Sequence, residues 1–110
     1  MSMVQKIQKI RYGLIGCGSM GREHIENIKA LDSCQVSAIA DTHPASRDAA
    51  LALLADAAQP PRVFEDHREL LNSGLCDAVV ISTPNFTHIN MMRDALKTDL
   101  GLATKAEPRP

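Results

Sequence analysis

The chain alternates between short apolar runs and longer stretches that carry apolar residues at a helical period. Residues 11–16 are a run ending in glycine, as in a strand buried on both faces, and residues 19–32 follow with Gly21, His24, Ile25, Ile28 and Leu31 on one helical face. Residues 35–40, with Val36 and Ile39, predict a second strand closed by Asp41. Pro44 introduces the Ala/Leu-rich stretch 45–58, a second helix that Pro60 and Pro61 stop. A brief third strand is expected at 62–65, then a short helix in which Asp66 and Glu69 have capping-box spacing and Gly74 is the stop. Residues 77–82, with Ala78, Val79, Val80 and Ile81, form the strongest strand pattern, and Thr83, Pro84 and Asn85 end it. A helix over 87–98 carries His88, Ile89, Met92, Ala95 and Leu96 on one face; residues 101–106 predict a fifth strand before Pro108 and Pro110.

Strands alternating with helices in so short a chain predict an α/β fold, a doubly wound parallel sheet of about five strands in three αβα layers with right-handed crossovers. Ligands on such sheets bind beyond the carboxyl ends of the strands, where strand order reverses. Residues 1–9 read as a flexible leader and residues 10–110 as one domain.

Composition narrows the function classes. The 110 residues are 45% hydrophobic and 23% charged, with a formal net charge of −1, which suits one small globular core. With 12 Lys+Arg against 13 Asp+Glu and no block of like charge, neither nucleic acid nor an acidic lipid surface is an expected partner. The longest apolar run, at 49–54, is flanked by Arg47, Asp48 and Asp56 and falls far short of the roughly 20 residues that cross a bilayer. Cys17, Cys34 and Cys76 include no C-x-x-C, so neither a disulfide framework nor a zinc knuckle is implied and a reducing cytoplasm fits. His24, His43, His67 and His88 lack metal-ligand spacing and read as surface or helix-face residues, so no metal is expected.

The chemistry concentrates in two loops. Gly16, Cys17, Gly18, Ser19, Met20 and Gly21 spell G-x-G-x-x-G directly after a strand and at the mouth of a helix. The first glycine permits a tight turn, the second lets backbone approach a pyrophosphate, and the third lets helix and strand pack closely. The free N–H groups of the helix start then face the phosphates. Asp41, 20 residues beyond Gly21 at the end of the second strand, is placed to accept hydrogen bonds from adenosine ribose hydroxyls. A carboxylate there repels a 2′-phosphate, which favours NAD over NADP; Arg47 is the nearest basic residue that would soften this preference. The second loop, Thr83, Pro84 and Asn85 with His88 just beyond, is either a plain strand-to-helix turn or a lining for the nicotinamide half. His24 reads as a buried, hydrogen-bonded residue and Cys17 as a small apolar filler, although a helix start can lower a thiol pKa.

Taken together, G-x-G-x-x-G-x-x-H at 16–24, Ala40-Asp41, and V-I-S-T-P-N-F-T-H at 80–88 resemble the Gfo/Idh/MocA oxidoreductase family over residues 10–107. The resemblance implies an N-terminal Rossmann domain for NAD or NADP, in strand order 3-2-1-4-5, followed by a second α/β domain shaping a pocket for sugars, polyols or related substrates. It implies pyrophosphate at Gly16–Gly21, adenosine ribose at Asp41, and the nicotinamide side at Thr83, Pro84, Asn85 and His88. The chain is expected to stop before the second domain, leaving the fifth strand as a free edge and favouring self-association. The family's E-K-P signature is not reproduced: aligned from Gly101, Glu107 matches the glutamate but Pro108 takes the lysine position. Lys105 lies two positions early, a displacement of about 6 to 7 Å along a strand, so the catalytic role is not carried over to it and the catalytic residue stays unassigned. The implied function is the cofactor-binding domain of an oxidoreductase moving hydride between nicotinamide and a sugar or polyol. The alternative is a catalytically silent nucleotide-binding module, separated from the first by binding of NADH without turnover.

Overall fold

The computed structural model describes residues 9–83, 90–94, 96 and 101–104. Within them lie β1 (Ile10–Ile15), α1 (Ser19–Lys29), β2 (Cys34–Ala40), α2 (Pro44–Leu53), β3 (Arg62–Phe64), α3 (His67–Leu71), β4 (Ala78–Ile81) and β5 (Gly101–Thr104), with a further helical segment at 90–94. Residues 1–8 of the leader, Pro84, Asn85, His88, and the tail with Lys105, Glu107 and Pro108 lie outside the described residues.

Among the described residues the sheet is parallel throughout, in the order β3-β2-β1-β4-β5 that the family resemblance implies. After β3 the chain returns across the sheet to pair β4 with β1, so the topological switch lies between those two strands. Alternation along each strand divides the core in two. Leu14, Val36, Ile39 and Val80 pack against Ile25 and Ile28 of α1 and Ala50 of α2. Ile15, Ala38, Ala40, Val79 and Ile81 pack against Leu70 and Leu71 of α3, with Met91 and Met92 at the margin. Both faces of β1 and β4 are thus covered, which is why these strands read as continuous apolar runs rather than alternating ones.

Helix ends depart from the sequence reading for local reasons. α1 stops at Lys29 rather than 32: the Ala30 N–H already closes the last turn and Leu31, 53% exposed, leaves the packed face. α2 stops at Leu53 rather than 58, because the backbone tightens into three-residue turns, Leu54 N–H to Leu51 O and Ala57 N–H to Leu54 O, ahead of the prolines. In α3 the Asp66 cap accepts the Arg68 N–H at 2.8 Å, so the donor is the second helical residue and not Glu69. At the amino end of the sheet Arg11 clamps Asp77 through its backbone N–H (2.9 Å), Nε (3.2 Å) and NH2 (2.8 Å), and Asp77 returns its own N–H to Arg11 O. These bonds hold the Asp77 carboxyl down at about 2. This clamp joins β1 to β4 at the end opposite the strand termini where a ligand is expected.

Candidate functional site

The carboxyl ends of β1, β2, β3 and β4 open into one cleft of about 870 Å³. Its floor is the glycine loop. Gly16 adopts φ +103, a left-handed conformation that costs an L side chain energy, and a Cβ there would also press on the Ser82 backbone at 2.9 Å. Its N–H bonds Ala40 O at 2.9 Å, which turns the chain sharply off β1. A Cβ at Gly21 would collide with the Gly16 carbonyl, so glycine there lets α1 pack down onto the end of β1. Gly18 is the N-cap of α1, brings no side chain to cap it, and has open space where a Cβ would stand. The first-turn N–H groups of α1, which have no intrahelical acceptor, therefore face the cleft with room in front of them.

Asp41 faces this loop from the end of β2, with only 13% of its side chain exposed. One carboxylate oxygen accepts the Cys17 N–H at 2.7 Å and the other accepts the His43 N–H at 2.8 Å. The His43 Nδ1 lies 3.3 Å from the same second oxygen. Arg47, considered above as a softener of the cofactor preference, is turned away: its guanidinium donates to Asp41 O at 2.7 Å and lies 3.8 Å from Glu65. It braces the backbone under Asp41 and joins the ends of β2 and β3.

Gly16, Gly18, Ser19, Met20, Asp41 and Thr83 all line the cleft, and Met20 is 45% exposed into solvent. Cys17 does not: its side chain is fully buried in the core under α1 and α2. Burial, and secondarily the Asp41 carboxylate, push its thiol up to about 12, so the helix start does not activate it and the apolar-filler reading holds. Gly21 is buried behind the loop. The side chain of Thr83 donates to Met91 Sδ at 3.3 Å.

Sequence reasoning overlooked two walls of the cleft and one brace. Thr42, His43 and Ser46 form the wall after β2; Glu65, Asp66, His67 and Arg68 form the wall after β3. Each group directly follows a strand, and the carboxyl-end rule alone would have nominated them. Arg68 forks onto Asp66 at 3.1 and 3.0 Å and holds that carboxyl below the usual range. Ser82 is the brace: its N–H bonds Ile15 O at 2.9 Å and its Oγ donates to Gly16 O at 3.2 Å, tying the end of β4 to the glycine loop.

A glycine turn at the switch point, an uncapped helix start above it and an acid at the end of the neighbouring strand define a dinucleotide-binding Rossmann domain as the class of protein. The sequence itself matches the profile described as oxidoreductase family, NAD-binding Rossmann fold, over residues 10–102, and the chain belongs to this Gfo/Idh/MocA family. It is 36% identical over 98 residues to glycosyl hydrolase family 109 protein 1 of Shewanella sp. (strain MR-4), a match covering 84% of this chain and 21% of that protein. It is 33% identical to inositol 2-dehydrogenase of Arthrobacter sp. (strain FB24), covering 84% of this chain and 27% of that one. Among solved structures, myo-inositol dehydrogenase from Lactobacillus casei in complex with NAD(H) and myo-inositol superposes with a TM-score of 0.79 at 30% identity, over 88% of this chain and 28% of that one. The chain thus spans about a fifth to a quarter of the curated relatives it matches.

Proposed function

We propose that this chain seats NAD along the carboxyl edge of its sheet as the cofactor-holding part of an enzyme that moves hydride to or from a sugar, polyol or related substrate. The pyrophosphate lies against Gly16, Gly18, Ser19 and Met20, with Cys17 and Gly21 shaping the loop from behind, the adenosine ribose on Asp41, and the nicotinamide side toward Thr83, Pro84, Asn85 and His88. The observation that carries this reading is Gly18: an N-cap with no side chain, open space before it, and the α1 N–H groups behind it. That cradle fits a diphosphate in size and in charge. When bound, the nicotinamide ring supplies or accepts the hydride. The share of this chain is orientation: the loop and helix start hold the diphosphate, and Asp41 accepts from ribose hydroxyls with the lone pairs its two N–H donors leave open.

Calorimetric titration with NADH and NADPH tests it. NADH is expected to bind more tightly, and Asp41→Ala is expected to shrink that advantage; failure of the folded chain to bind either one overturns the proposal.

A second reading takes its support from the 36% identical relatives named as glycosyl hydrolases. A glycosidase that uses NAD returns the hydride to the same sugar, so the net reaction is hydrolysis. Nitrophenol release from a nitrophenyl N-acetylgalactosaminide without NADH accumulation would favour this reading. NADH accumulation on a polyol would favour the first. The free Cys17, Cys34 and Cys76 thiols support a reducing, cytoplasmic setting; no helix of the described residues is long and apolar enough to cross a membrane. β5 is one of the two edge strands among the described residues, and an edge strand is a template for pairing, so we expect self-association, detectable by sedimentation.

A further inference from the structure

The glycine loop contains two successive peptide groups that are held in different ways. The peptide joining Gly16 to Cys17 is pinned at both ends: its carbonyl accepts the Ser82 hydroxyl at 3.2 Å and its N–H donates to Asp41 at 2.7 Å. The next peptide, joining Cys17 to Gly18, is held at one end. Its carbonyl accepts a guanidinium N–H of Arg22 at 3.0 Å. Its N–H, that of Gly18, has no acceptor among the described residues. We propose that Arg22 is a positioning residue for the cofactor diphosphate: by holding the Cys17 carbonyl it aims the Gly18 N–H, at the other end of the same peptide, into the cleft. This rests on the cofactor reading above.

A trans peptide is planar, with its C=O and N–H pointing opposite ways, so whatever fixes the carbonyl fixes the donor. Gly18 lines the cleft and Arg22 does not, so Arg22 acts on a ligand through the loop and not by touching it. The peptide needs such a hold because Gly18 has no Cβ to resist its rotation and open space around it to rotate into. Arg22 is suited to the task because it is itself fixed on α1. Its backbone N–H makes the first bond of the helix, to Gly18 O at 2.9 Å, while its half-buried side chain reaches back one residue further to Cys17 O. Both bonds come from one residue of a regular helix, so the Gly18 N–H is held in line with the first-turn donors of α1 and the group presents a common front to an anion. The donor is a charged guanidinium, which makes the hold stronger than a neutral one.

The test titrates NADH and ADP-ribose into the unmodified chain, Arg22→Met and Arg22→Lys. Met keeps the apolar stem and removes the donors, whereas Lys keeps a charged donor at similar reach. Both ligands carry the diphosphate, so Arg22→Met is expected to weaken both about tenfold, and Arg22→Lys to recover most of the loss. Urea melts set conditions in which each variant is folded, so the affinities report the native loop. The titrations are repeated with salt raised from about 0.1 M to about 1 M, which shortens the screening length from about 10 Å to about 3 Å. Peptide orientation is not screened, so the ratio of unmodified to Arg22→Met affinity is expected to hold within about twofold. A ratio that collapses in salt makes Arg22 a through-space charge and overturns the positioning role. Wild-type affinity in folded Arg22→Met, or no recovery in Arg22→Lys, overturns it as well. If the unmodified, folded chain binds neither ligand, the cofactor reading itself fails, and this inference with it.

Discussion

Asp41→Ala removes more than the proposed ribose contact. In the wild-type chain the carboxylate accepts one N–H from the glycine loop at 2.7 Å and one from the start of α2 at 2.8 Å, with 13% of the side chain exposed. Hydrogen bonds to a charged group contribute about 1.5–3 kcal/mol each, but both donors border the open cleft, where water replaces part of the loss, so the net destabilisation is about 2 kcal/mol. Asp41→Asn keeps one acceptor oxygen and is expected to cost about half as much. With a urea slope of about 1.5 kcal/mol/M, the Ala midpoint falls by roughly 1–1.5 M and the Asn midpoint by about half that. Loosening of the loop weakens NADH and NADPH alike, whereas loss of the ribose contact and of the repulsion toward a 2′-phosphate acts on their ratio. Affinity alone therefore confounds two effects that the melt and the ratio separate. A wild-type urea midpoint in Asp41→Ala refutes the loop-anchoring argument, and an unchanged NADH to NADPH ratio refutes the ribose assignment.

The remaining predictions probe neighbouring features. Gly21→Ala is expected to lose about 1–3 kcal/mol in a urea melt, because its Cβ must displace α1 from the Gly16 carbonyl; Gly18→Ala, with open space around it, is expected to melt within about 0.5 kcal/mol of wild type yet to weaken NADH in calorimetry. The Asp77 carboxyl is held at about 2 in the folded chain, below the roughly 3.9 of an unfolded one, so its contribution is complete above that unfolded value and is lost as pH falls toward 2. Asp77→Asn should flatten the stability profile across that window and leave the neutral-pH slope alone. Cys17, fully buried with its thiol pushed up to about 12, is expected to resist a thiol reagent at pH 8 until urea unfolds the chain; rapid labelling of the native protein would contradict its core placement.

The architecture was legible because its signals are local. An apolar run buried on both faces, a proline at the first turn of α2 and three glycines at fixed offsets each act through backbone geometry within a few residues, so the elements and the loop position were legible locally, whereas the strand order came from the family resemblance. Helix ends were less legible. The stop of α2 at Leu53 depends on Leu54 turning into the core beneath α1 and β2, a tertiary contact that outweighs the helix propensity of the alanines after it. The partners of Arg47 were illegible for a related reason. Its place near Asp41 in sequence made it the nearest basic residue that would soften the cofactor preference, and one helical turn brings its guanidinium to the Asp41 carbonyl and toward Glu65.

The cross-chain partners of the glycine loop divide into two kinds. With strand order in hand, register alone supplies the first: Ile15 pairs with Ala40 on one side and with Ile81 on the other, so the residues one step beyond, Asp41 and Ser82, must flank Gly16 and Cys17. The hydrogen bonds to Cys17 N–H and Gly16 O are consequences of parallel pairing and of the sharp turn at Gly16, and a reader of the sequence who trusted the 3-2-1-4-5 order had enough to predict them. His67 and Asp94 belong to the second kind. They come from the start of α3 and from the segment after β4, and no ladder fixes one against the other. Their meeting depends on the angle at which each element packs on the Ile15, Val79 and Ile81 face of the sheet, set by Leu70, Leu71, Met91 and Met92. Side-chain volumes on that face thus govern whether the contact forms. An enlarged core residue there, Val79→Ile for example, should therefore cost about 1–3 kcal/mol in a urea melt, and an unchanged midpoint would refute the packing argument.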